Sequence, residues 1–299
     1  MEESPVLRRV RSADGAVTLA TYDYGGAGRD CLLVHGNGLH ALAYDPLARV
    51  LRAAGLRVVA LDQRGMGASS TLPEAGCDLR WAAFGADVLA VHRALGLKHC
   101  LGFGHSLGGA ALLLAEASCP GAFASLYLYE PVVAPAGEPG QPHEWEQPLS
   151  GKVQAARRRR ASFPCRADAL AAYAQKLPLS LLHPSCLRLY VERGFRDTPP
   201  GGSSVTLCCL PETEATVFEL GPSAGVEALL PRISCPVTVA QGGRDAHDGP
   251  ARVAPTVATR VVRGVLQLHP KLGHFGPLED PEGVAGCALA SFYSATSRL

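Results

Sequence analysis

The amino-acid sequence predicts an α/β protein built on a mostly parallel sheet with helices on both faces. Three observations carry that prediction. Short apolar runs alternate with helical patterns. The runs are apolar throughout, as strands covered on both faces must be. One long central stretch breaks the rhythm. In chain order, Val6–Val10 and Val17–Tyr22 read as an opening hairpin that turns at Asp14-Gly15. Cys31–Val34, Arg57–Ala60, His99–Phe103, Ser125–Leu128 and Val237–Ala240 read as buried parallel strands, and Val261–Leu268 as the last one. Pro46–Ala54, Phe84–Leu95 and Leu107–Ser118 carry helical spacing between them.

The alternation stops after Tyr129. From Pro131 to about Ser234 come a Pro-, Gly- and Glu-rich loop (Pro135–Pro148), helical pieces (Val153–Ala161, Ala167–Lys176, Pro184–Arg193) and a second loop (Asp197–Ser204). The predicted organisation is therefore a core of residues 1–130 and 235–299 with an inserted helical cap, 131–234. Ligands bind at the carboxyl ends of such strands, where a cap would shape a pocket and exclude water. Leu177, Leu179, Leu181 and Leu182 would form the cap's own core or an apolar pocket wall.

Composition narrows the function. The 299 residues are 47% hydrophobic and 18% charged, with a net charge of +1. That balance suits a large core and leaves no electrostatic footprint for nucleic acid. The run Arg157–Arg160 reads as a solvated helix face, with a site for an acidic substrate group as the other reading. Ten cysteines form no Cys-x-x-Cys, and Cys31, Cys100 and Cys235 sit in apolar runs. Met1–Pro5 is polar and lacks the apolar stretch of a signal peptide. These features predict a reducing, cytoplasmic location without structural disulfides. No apolar segment reaches the ~20 residues of a membrane span.

The chemistry-bearing motif is Gly104-His105-Ser106-Leu107-Gly108, set between an apolar strand and a small-residue helix. Such a turn lifts the serine oxygen clear of the backbone, at a helix N-terminus where negative charge is favoured. A serine nucleophile needs a base, an orienting acid and an oxyanion cradle. His274, in the glycine-flanked loop Leu272–Pro277 after the last strand, is the predicted base. Asp245, after a strand in Gln241–Asp245, is the predicted acid; Glu130, ending the preceding strand, and Asp248 are the alternatives. The predicted oxyanion donors are the backbone N–H groups of Leu107 and Asn37, the latter in His35-Gly36-Asn37-Gly38. His35 and His105 are expected to pack and hydrogen-bond, and Asp62–Ser69 to brace the site. No histidine pair has strong zinc-ligand spacing, so no metal is expected.

Together these motifs, with Gly273-His274-Phe275 and Glu279-Asp280-Pro281, resemble the α/β-hydrolase superfamily in identity and order. The resemblance implies an eight-stranded, mostly parallel sheet, a lid after the sixth strand and no organic cofactor. It also implies ester or thioester hydrolysis as a common activity. Epoxide hydrolases and haloalkane dehalogenases look similar but carry aspartate at the elbow, so Ser106 argues against both. Glu130 resembles the acid position of some dehalogenases. The expected activity is hydrolysis of a small-to-medium acyl substrate by a Ser-His-acid triad. Carbon–carbon bond hydrolysis of a diketone-like substrate, or ligand binding without turnover, are the alternatives.

Overall fold

The computed structural model describes residues 3–69, 77–134, 146–221, 225–244 and 249–296. The chain opens with β1 (Val6–Arg11) and β2 (Thr18–Asp23), an antiparallel hairpin in which Val6 faces Asp23. Then β3 (Asp30–Val34), α1 (Asp45–Ala53), β4 (Arg57–Leu61), α2 (Trp81–Ala94), β5 (Cys100–His105), α3 (Leu107–Ser118) and β6 (Phe123–Tyr129) follow in strict alternation. These strands are buried on both faces, and their residues divide between two cores. Leu32 and Val34 of β3 pack with Val59 and Leu61 of β4 in one core. Cys31 and Leu33 pack with Val58 and Ala60 in the other. Burial of each such aliphatic side chain contributes about 1.5–3 kcal/mol.

Between β6 and the next strand of the main sheet lie α4 (Glu146–Arg157), α5 (Arg166–Tyr173), α6 (Pro184–Gly194), α7 (Pro211–Leu220) and α8 (Val226–Leu229). The predicted helical pieces are present, but the segment is not purely helical. It also holds β7 (Ser162–Phe163), β8 (Phe195–Thr198) and β9 (Ser204–Leu207), which form an antiparallel sheet in the order β7-β9-β8. Strands of two to four residues are too short to show a period. They hold because Phe163, Phe195, Val205 and Leu207 are buried together.

The main sheet resumes with β10 (Val237–Gly242), α9 (Gly249–Arg260) and β11 (Gly264–His269), and the chain closes with α10 (Gly276–Glu279) and α11 (Pro281–Thr296). The sequence suggests a last strand from Val261; it starts instead at Gly264. Val261 follows α9 directly, its N–H still bonded to Val257 O (3.2 Å), and the turn closes through Gly264 N–H to Val261 O (3.1 Å). The eight-stranded sheet has the order β1-β2-β4-β3-β5-β6-β10-β11, parallel from β4 onward. The carboxyl ends of β3, β5, β6 and β10 therefore meet at one edge, where the candidate residues gather.

Candidate active site

Strand β5 is buried at every position and runs into α3 through Ser106 alone. Ser106 takes φ 55° and ψ −118°, a backbone conformation L-residues avoid. Strand and helix can fold back only because the flanks lack side chains. A Cβ on Gly108 would sit 2.1 Å from Val34 O, and one on Gly104 would sit 2.7 Å from Gly109 Cα. The turn is tied to the next strand by Ser106 N–H to Tyr129 O (3.0 Å).

The loop after β11 brings His274 to this corner. Its Nε2 lies 3.2 Å from Ser106 Oγ, and its Nδ1 lies 2.6 Å from Glu130 Oε2. The Glu130 side chain is 1% exposed, and its other oxygen accepts the Gly242 N–H at 2.8 Å. Among the described residues, the carboxylate on His274 Nδ1 is that of Glu130, one of the alternatives to Asp245. Asp245 and Asp248 lie outside the described residues. The end of β10 supplies a backbone donor, Gly242 N–H, to Glu130. Among the described residues only His99, Ser106 and Glu130 are non-glycines with positive φ, and two of these three face His274. Strain of this kind costs about 1–3 kcal/mol per residue and concentrates at functional sites.

Leu107 is the first residue of α3, so its N–H has no intrahelical acceptor. The loop after β3 lies against the serine: a Cβ on Gly36 would be 3.3 Å from that of Ser106. Asn37 is fixed there by its Nδ2, which donates to Glu214 O (2.9 Å). Asn37, Leu107, Ser106 and His274 all line one cavity.

Buried polar contacts hold these loops. His35 Nδ1 donates to Gly36 O (2.7 Å), and its Nε2 accepts the Gln63 N–H (3.0 Å). Burial drives the His35 pKa down to about 3, which keeps the ring neutral. His105 is also neutral, its pKa pushed well below the imidazole range by burial. Its Nε2 donates to His274 O (2.8 Å), leaving Nδ1 to accept from Tyr44 Oη (2.6 Å). The carbonyl of His274 is thereby pinned, and Tyr129 Oη donates to Gly273 O (2.9 Å) beside it. In the Asp62–Ser69 loop, Asp62 accepts from Ala41 N (2.7 Å), Ala68 N (2.7 Å) and Tyr22 Oη (3.2 Å). Burial still raises its pKa to about 6.

The cavity at Ser106 measures about 180 Å³. Its wall includes residues the sequence reading did not single out: Trp81 from the core, and Lys152, Glu214 and Phe218 from the segment between β6 and β10. They carry no local motif, and α7, which bears two of them, has a short and weakly periodic pattern. Trp81 Nε1 donates to Val217 O (2.8 Å), joining α2 to α7. A larger cavity of about 550 Å³ adjoins this one, and the two share Asn37, Leu39, Lys152, Glu214, Phe218 and Phe275. Leu177 and Leu179 line the larger cavity, whereas Leu182 is buried in the core.

Comparison with known proteins bears on the fold. Over 87 residues the chain is 37% identical to a Synechocystis sp. protein provisionally named a non-heme chloroperoxidase, covering 29% of this chain. The chain spans only 30% and 37% of the lengths of two curated relatives it matches. The peroxisomal alpha-beta-hydrolase Lpx1 of Saccharomyces cerevisiae superposes with a TM-score of 0.78 at 17% identity, over 95% of this chain and 83% of that one. An esterase of Exiguobacterium antarcticum superposes with a TM-score of 0.72 at 16% identity, over 95% and 98%. The sequence profile of the alpha/beta hydrolase family matches residues 31–286. The chain therefore belongs to the alpha/beta hydrolase family.

Proposed function

We propose that this enzyme is a serine hydrolase that cleaves an ester or related acyl bond of a small-to-medium substrate. The observation that carries the reading is the chain of contacts from Glu130 through His274 to Ser106, at 2.6 and 3.2 Å. Ser106 Oγ attacks the acyl carbon as His274 Nε2 takes its proton. Glu130 holds the ring in the tautomer with Nδ1–H and stabilises the imidazolium that forms. The backbone N–H groups of Leu107 and Asn37 receive the oxyanion. When the tetrahedral adduct collapses, the bond to the leaving group breaks and His274 returns the proton to that group. Water, deprotonated by His274, then displaces Ser106 and releases the acid.

Residues 131–234 act as a cap on the core of 1–130 and 235–299, contributing Lys152, Glu214 and Phe218 to the wall at the serine. A cytosolic location suits ten cysteines that are not joined in disulfides. Among the described residues, no helix is long and apolar enough to cross a membrane.

Labelling by a fluorophosphonate tests the reading. The native protein should label and should hydrolyse short acyl esters, while Ser106→Ala should do neither yet keep its circular dichroism spectrum. Undiminished labelling or ester hydrolysis in Ser106→Ala would overturn it.

A further inference from the structure

The larger cavity has a charge that the rest of the molecule does not share. The chain as a whole is +1. Among the described residues, Lys152, Arg158, Arg159, Arg160 and Lys176 line this cavity with one acid, Glu214. Glu214 is committed to Arg159, at 2.7 Å, in a pair whose side chains are 14% and 19% exposed. Arg159 also donates to Tyr190 Oη and lies over the rings of Tyr173 and Tyr190. It is an anchor inside the wall. Arg160 lies over Phe163 at 4.1 Å from the ring centre, with its Nε on Ser162 O. Arg158 and Lys176 are exposed, one just past α4 and the other just past α5. Among the described lining residues the one acid is already paired, so their summed charge is positive, and concave low-dielectric walls concentrate such a field.

Two further observations mark the cavity as a place for a ligand. Tyr173 is 5% exposed and lines it, yet Tyr173 Oη has no hydrogen-bond partner among the described residues. Asn37 Oδ1, on the wall shared with the serine cavity, is likewise buried without a partner. Native proteins leave few buried polar atoms unpaired. The rest of the wall is apolar and aromatic, with Phe163, Phe218 and Phe275 beside Leu177 and Leu179.

We infer that the larger cavity receives an anionic oxyacid group, a carboxylate or a phosphate, carried by the substrate several bonds away from the carbonyl that Ser106 attacks. The inference rests on the hydrolytic reading for the place of that carbonyl. The apolar rings would flank the connecting chain, and Arg158, Arg160 and Lys176 would surround the anion. Specificity for a charged acyl compound then resides in the inserted segment, apart from the residues that break the bond.

Binding to Ser106→Ala protein, which retains uncleaved ester, tests this by calorimetry with three probes. These are monoethyl adipate, the ethyl ester of 5-phosphooxypentanoic acid, and the neutral ethyl 6-hydroxyhexanoate. At low salt at least one anionic ester should bind roughly fivefold or more tighter than the neutral one, as two or three partly exposed charge contacts allow. The gap should close at about 0.5 M salt, where screening acts within ~4–5 Å. It should also close in Arg158→Gln/Lys176→Gln, whose exposed side chains leave the fold intact, and return in Arg158→Lys/Lys176→Arg. Whichever anionic ester carries the gap identifies the carboxylate or the phosphate. Equal affinity for all three probes, no binding of any, or a gap that survives the double substitution would overturn the inference. The hydrolytic reading fails separately, if native protein cleaves none of the three while the binding preference stands.

Discussion

Two regions of this molecule bury arginine in different ways. In the core, Arg64 is fully buried with every contact inside the protein. Its Nε and Nη2 grip the Asp87 carboxylate (2.7 and 2.8 Å), and its Nη1 reaches Asp14 (2.9 Å) and Asp78 O (2.7 Å). In the inserted segment, the run Arg157–Arg160 splits. Arg157 meets Glu212 (2.9 Å) and Glu219 (2.8 Å) on the outside, Arg159 is walled in with Glu214, and Arg158 and Arg160 are exposed at a cavity. Charge in the core fixes loops beside the candidate site. Charge in the insert remains within reach of a ligand. The first arrangement sets geometry, and the second can set selectivity.

Breaking the core pair should have the largest effect on stability. Arg64→Met leaves Asp87 buried without its cation, a change worth about 3–5 kcal/mol. The midpoint of urea unfolding should fall accordingly, whereas Arg157→Met, on an exposed pair, should move it by about 1 kcal/mol or less. Equal shifts would erase the distinction between the regions.

Acid should weaken the core next. Burial depresses the pKa of His35 to about 3 and of His40 to about 4, so the folded state resists their protonation. The unfolded chain takes up those protons once pH falls below about 6.5. The histidine contribution is complete above that pH and is lost as pH falls toward 4 and 3. Asp62 acts in the opposite sense. Its folded pKa is raised to about 6, so its protonation favours the folded state as pH drops. At about 1.4 kcal/mol per unit the two histidines outweigh the one carboxyl, so these three groups alone give a net loss of about 3 kcal/mol between about pH 7 and 4.5, and His105, lowered by burial, adds in the same direction. Unfolding midpoints at the two pH values check this; a flat or rising profile would contradict it.

Two glycines sharpen the contrast. Gly108→Ala must displace the backbone at Val34, and misplacement of the serine by about 1 Å costs roughly 100-fold in kcat/KM. Gly151→Ala, in α4 with open space around its Cβ, should leave turnover alone and raise stability by about 0.5–1 kcal/mol. Kinetics and thermal melts on the two variants distinguish these outcomes.

Legibility in the sequence differs between the same two regions. The core announced itself, because strands such as β3 and β4 bury both faces and must be apolar throughout, and because the elbow tolerates no side chain at Gly104 or Gly108. Ser106 and His274, whose side chains lie 3.2 Å apart, were both marked by their glycine-flanked loops. Glu130 was harder to rank. Its role depends on a positive-φ turn after β6 and on the Gly242 N–H, contacts separated by 112 residues that no local pattern announces. In the insert, β7, β8 and β9 were missed because pairing between strands of two to four residues depends on distant partners. The division of the Arg157–Arg160 run was hidden for the same reason, since Glu212, Glu214 and Glu219 lie more than fifty residues away on α7.

The central claim is that Glu130, at the end of β6, holds His274 for catalysis. The direct measurement is kcat for ester hydrolysis by Glu130→Gln and Asp245→Asn, side by side with the native enzyme. The contact of 2.6 Å predicts a fall in kcat on the order of 10⁴-fold for Glu130→Gln, because the amide disfavours the tautomer the serine requires. Asp245→Asn should stay within about tenfold of native, well short of the loss expected on removing a triad acid. A large loss in Asp245→Asn with Glu130→Gln near native would contradict the account and return the acid to the end of β10.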